Sequence, residues 1–143
     1  MKKKLHYQIS SEELSKHFQR QEKDKNRWLV FWRSARLLKA LLPPQCGRKV
    51  RIKRVNKLPG NALAITSRPN DKYFLIRILN TEEINAVTAL LLLVHEWGHV
   101  LDWKNYDLES FEPHNDKWGV YTAQCWRIVS GEIFGGINER HLD

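Results

Sequence analysis

Apolar and polar positions change period several times along this chain of 143 residues. Ser10-Ser11-Glu12-Glu13 reads as a helix start with Leu14 and Phe18 four apart, but Gln19 to Arg27 contains no apolar residue. Residues 1–27 are therefore expected to be a basic arm with a short helix, ahead of a single domain over 28–143. Trp28, Leu29, Trp32, Ala35 and Lys39 mark a second helix. It must end before Pro43-Pro44, because a residue preceding proline is pushed out of the α region.

Three extended segments follow. From Arg48 to Val55, Val50 and Ile52 alternate with Lys49, Arg51 and Lys53, predicting a strand with one basic face. Leu58-Pro59-Gly60-Asn61 suits a turn, since proline presets φ and glycine accepts a positive one. Ala62 to Arg68 is the second strand, and Pro69-Asn70-Asp71 turns into a third, Tyr73 to Leu79, apolar on both faces and hence interior. A long helix is predicted from Thr81, as N-cap, to about Lys104, with Glu82 and Glu83 in its first turn. The last helix is predicted from about Asn115 to Phe134, ended by Gly135-Gly136. The expected fold is α+β: an N-terminal helix, a three-stranded antiparallel meander and two further helices.

Composition narrows the class. At 42% hydrophobic and 28% charged the chain is made like a globular domain with a core of its own. Two cysteines, Cys46 and Cys125, suit a reducing compartment better than a disulfide scaffold; one reads as a loop thiol and the other as a small buried residue. The basic start leads into no apolar run, and the longest central one, Ala89 to Val94, is far shorter than the roughly 20 residues that span a bilayer. A cytoplasmic protein is the expectation. Charge is unevenly placed: residues 1–60 carry 17 Lys and Arg against 4 Asp and Glu, while residues 61–143 carry 7 against 12. The net +8 thus hides a front half at +13. That points to a polyanion contact, with Lys49, Arg51 and Lys53 as its track, set against the plainer reading of a solvated basic surface.

The chemistry gathers at His95-Glu96-Trp97-Gly98-His99, near the end of the long helix. Residues four apart lie one turn above each other, so both imidazoles reach one side and can share a metal. Glu96 follows the first ligand and can act as general base toward water without entering the inner shell. A catalytic zinc needs three protein ligands and an open position. Asp102, Glu109, Glu112, His114 and Glu132 are the downstream candidates. His114 is best placed, after a loop that can fold back and a proline, Pro113, that stiffens its approach.

Taken together, His95-Glu96-x-x-His99 and Pro113-His114-x-x-x-Trp118 resemble the SprT-like, Spartan-related zinc metalloproteases over roughly residues 48–134. Asn115 replaces the family's usual glycine, and no Cys-x-x-Cys ribbon follows, so the likeness is to a short form. The resemblance implies a zincin-like fold and one Zn²⁺ per chain held by His95, His99 and His114. It also implies peptide-bond hydrolysis with Glu96 as the catalytic base. Joined to the basic front half, it points to protein substrates near DNA.

Asp102 shares the stripe of His95 and His99 and could accept the outer N–H of a ligand imidazole. Trp118 is expected to pack beside the metal and hold the two helices together. Tyr106 and Tyr121 are weaker candidates for stabilising an oxyanion. Trp28 and Trp32, beside Arg27, Arg33 and Arg36, could stack on unpaired bases, but aromatics four apart on a helix more commonly face a core. Two other functions fit the same motif. One is a nucleic-acid-binding protein whose structural zinc is closed by a fourth ligand, Asp102 or Glu132. The other is a zinc hydrolase acting on bonds other than peptides.

Overall fold

The computed structural model describes residues 28–103 and 114–142, with side chains described as far as residue 131. The expected arm over 1–27, the loop over 105–113 and Tyr106 lie outside the described residues, as do the side chains of Glu132 and His141. The described part begins in a helix over 28–41 (α1), followed by strands β1 (Lys49–Val55), β2 (Ala64–Ser67) and β3 (Tyr73–Leu79). Two helices complete it, α2 (Ala86–Leu101) and α3 (Asp116–Leu142). Among the described residues no helix is long and apolar enough to cross a membrane.

The α+β class is as expected; the sheet order is not. The strands lie β1-β3-β2, with β1 parallel to β3 and β2 antiparallel to it, rather than as an antiparallel meander. The cause is visible in the strands themselves. β3 is apolar on both faces and takes the centre, where each side of the backbone ladder is paired. Phe74, Ile76 and Ile78 point to one side and are fully buried. β1 alternates with cations, which are tolerated at an edge and discourage pairing with another chain. β2 has only four residues. Leaving a slot for β3 needs a longer connection than a hairpin turn. Residues 56–63 supply it, with Leu58 buried beneath and Gly60 reversing the chain at φ 60°.

The helices cover the face formed by Val50, Phe74, Ile76 and Ile78. α1 contributes Trp28, Phe31, Ala35 and Leu38, spaced to fall on one side, whereas Leu29 is turned outward. Trp28 is a core residue, and Trp32 packs partly buried against the same cluster. α2 contributes Ala89, Leu90, Leu93, Val94, Trp97 and Val100. Its indole at Trp97 is fully buried and donates to the Leu42 carbonyl at 2.9 Å, tying α2 to the end of α1. Burial of each large side chain here is worth roughly 1.5–3 kcal/mol.

Two helix boundaries differ from expectation. The N-cap of α2 is Asn85, not Thr81: its side chain accepts the Thr88 N–H at 2.8 Å, while Thr81 to Ile84 form a separate turn. Asparagine outranks threonine as a cap, and the buried Ile84 in front of it anchors the entry. Glu82 and Glu83 consequently precede the helix. At the other end of the chain α3 runs through Gly135-Gly136 to Leu142. Glycine ends a helix by taking the left-handed conformation; where it keeps helical angles it only weakens the helix, by about 1 kcal/mol each.

Candidate metal centre

α2 is buried on almost every side in its second half, where Glu96, Trp97, Gly98, His99 and Val100 follow one another. His95 and His99, one turn apart, bring their Nε2 atoms to 3.2 Å. His114 enters from the start of α3, and its Nε2 also lies 3.2 Å from that of His95. All three ligand atoms fall within 4.8 Å of one another, close enough to hold a metal ion. A tetrahedral zinc with Zn–N bonds of about 2.0–2.1 Å would separate its ligand nitrogens by roughly 3.3 Å. Hydrogen bonding within the trio satisfies it less well, because the single Nε2 of His95 faces two other ring nitrogens and can donate to only one.

Two of the rings, His95 and His99, are pushed toward the neutral form that a cation requires. Burial, and then the proximity of His95 and His114, lowers the His99 pKa to about 4; burial and His114 lower that of His95. Neutral imidazoles offer lone pairs where imidazoliums cannot. Among the described residues no fourth His, Cys, Asp or Glu joins the three, and His114 stands at the exposed side.

Glu96 directly follows His95 in α2, and residues one apart on a helix point to different sides of it. Glu96 is buried, and the Thr66 hydroxyl of β2 donates to its Oε2. Burial pushes its carboxyl above the ordinary carboxylate range, and the Thr66 hydrogen bond opposes that rise. Thr66 sits opposite Ile76, on the sheet face that meets α2, which is why an edge strand reaches this carboxylate. No sequence signal marks Thr66, since the contact spans 30 residues and depends on the sheet order.

α3 is held in place by its own start. Asn115 accepts the Trp118 N–H at 2.9 Å and so caps the helix directly after His114, a role that glycine could not fill with a side chain. Trp118 packs against all three imidazoles. Its ring centroid lies 5.0, 5.7 and 4.6 Å from those of His95, His99 and His114, and its Nε1–H donates to the His95 carbonyl at 3.2 Å. Gly98 makes this approach possible. A Cβ there would collide with Thr122 Cγ2 and lie 2.9 Å from Trp118 Nε1. A glycine inside a helical pattern, between Trp97 and His99, is the sequence signal that could have marked such a close crossing.

Asp102 is buried at the C-cap of α2, beside Lys117 and Tyr121 around a small cavity of about 80 Å³. It does not join the ligand cluster. Lys49, Arg51 and Lys53 are exposed on the sheet face opposite the core, as the alternation of β1 requires. Cys46 is exposed and Cys125 buried, and both are free thiols. No protein-family model matches the chain, and no curated protein or solved structure matches it either.

Proposed function

We propose that this chain is a zinc metallopeptidase resembling the SprT-like proteases, with His95, His99 and His114 as the zinc ligands and Glu96 as the general base. The observation that carries the reading is the meeting, from α2 and the start of α3, of three ring nitrogens at zinc-ligand spacing, with a buried carboxylate, Glu96, directly following His95 in the chain. Zinc, when bound, supplies Lewis acidity toward a carbonyl oxygen and toward water. Glu96 takes the proton from the attacking water and passes it to the departing amine. Thr66 fixes the carboxylate through one oxygen, leaving the other for that exchange. Trp118 and the burial around His99 keep the imidazoles oriented and partly dry. β2 is an edge of the sheet and carries Thr66, so an extended peptide could pair with it and bring its backbone to the site.

Asp102, one of the two carboxylates that could close the shell of a structural zinc, does not belong to the histidine cluster. The test compares wild type with Glu96→Gln on an unfolded protein substrate, with and without chelator. Glu96→Gln should keep zinc and fold and lose nearly all hydrolysis. Undiminished cleavage by Glu96→Gln would remove the mechanism. Zinc-dependent turnover of small esters or amides, with no peptide cleaved, would assign the same site to a different hydrolase.

A further inference from the structure

The parallel pairing of β1 with β3 does something that neither strand does alone. It sets Lys49 level with Tyr73, so the residues leading into both strands come together at one end of the sheet. Arg48, Lys49 and Arg51 from the first segment and Lys72 from the second line a single open cleft of about 390 Å³, with Asp71 as its one carboxylate. Two of these cations are held rather than free. Arg48 donates from Nε to the Asp71 carbonyl at 3.2 Å and from Nη2 to its carboxylate at 3.4 Å. The Arg51 guanidinium lies over the Tyr73 ring, 4.2 Å from its centroid. The loop beneath is fixed as well, because the Asn70 side chain accepts the Lys72 N–H at 2.7 Å.

We propose that this cleft binds the phosphate backbone of a nucleic acid, independently of base sequence. Four cations against one carboxylate leave a strongly positive mouth, and repulsion among them is relieved by an anion. The cations do not end at the cleft. Lys49, Arg51 and Lys53 stand on one face of β1 at every second residue, a row about 13 Å long. A single phosphate would occupy only part of the mouth and leave the rest of the row unused, whereas a chain of phosphates engages all of it. The row belongs to the outer face of the sheet, while α2 and its histidines pack against the other, so binding here does not depend on the hydrolase reading.

The test is binding of fluorescent single-stranded and duplex oligonucleotides to the full chain across a salt series. Lys49→Gln/Arg51→Gln/Lys72→Gln should weaken binding at least about tenfold for unrelated sequences alike. The slope of log affinity against log salt should fall by about 0.7–0.9 for each phosphate that is no longer neutralised. Arg33→Gln/Arg36→Gln/Lys39→Gln removes the same formal charge from α1 and should change affinity less than about threefold. Asp71→Asn, at a side chain almost wholly exposed, should tighten binding. Equal losses in both triple variants, or none in the first, would overturn the site. So would capture of inorganic phosphate or of phosphatidylserine vesicles by a wild type that does not bind oligonucleotides.

Discussion

The Trp118 indole donates its N–H to the main-chain carbonyl of His95 at 3.2 Å, so the helix that follows His114 is keyed directly onto the helix that carries the other two histidines. The bond is made beside Gly98, where an added Cβ would meet both Thr122 and Trp118 of α3. The spacing of the three imidazoles and the interhelix packing therefore depend on the same few atoms.

Gly98→Ala should for that reason behave unlike any ordinary glycine replacement in a helix. Its Cβ must displace Thr122 and Trp118, costing about 1–3 kcal/mol and weakening metal retention with it. Gly119→Ala, one turn into α3 with open space around its Cβ position, should instead stabilise by about 0.4–1 kcal/mol. Thermal melts and metal titration of the two variants check both signs.

Purified protein should carry about one zinc per chain, measured by elemental analysis. Removal of a ligand in His95→Ala, His99→Ala or His114→Ala should lower affinity by more than the roughly 10–100-fold expected when only a supporting residue is removed. His99→Ala should also lower the melting temperature, because His99 is buried. Glu132→Ala should retain metal. Retention by His114→Ala together with loss by Glu132→Ala would replace the ligand set given above.

Thr66→Val removes the hydroxyl that holds Glu96 while keeping a β-branched side chain in β2. Hydrolysis should fall about tenfold or more, the effect of losing about 1.4 kcal/mol of positioning, with zinc content nearly unchanged. Thr66→Ser should restore most of the rate. A Thr66→Val variant as fast as wild type would show that Glu96 needs no such support.

The two thiols should separate cleanly under a maleimide at mildly alkaline pH. Cys46 is exposed and should label in the native protein. Cys125 is fully buried in the core, and burial pushes its thiol up to about 12, so it stays protonated and inaccessible. It should react only after denaturant is added, and mass spectrometry of the native sample should find one adduct.

Local chemistry determined much of this protein. The 2-residue period of Val50 and Ile52 and the run Tyr73–Leu79 mark strands because side chains alternate across a sheet, and β3 was legible as the interior one from its two apolar faces. The four-residue spacing of His95 and His99 puts both rings on one side of a helix whatever surrounds it. Other features were decided between segments distant in the chain. Strand order depends on which edge can bear charge and on whether residues 56–63 can span a vacant slot, and local pattern carries neither. That order puts Thr66 against Glu96 and Lys72 beside Lys49, two juxtapositions no spacing rule foretells. The N-cap passed from Thr81 to Asn85 because the buried Ile84 holds the entry to α2 where packing requires it. Periodicity is written in neighbouring residues, whereas pairing and close approach are properties of surfaces that meet only after the chain has folded.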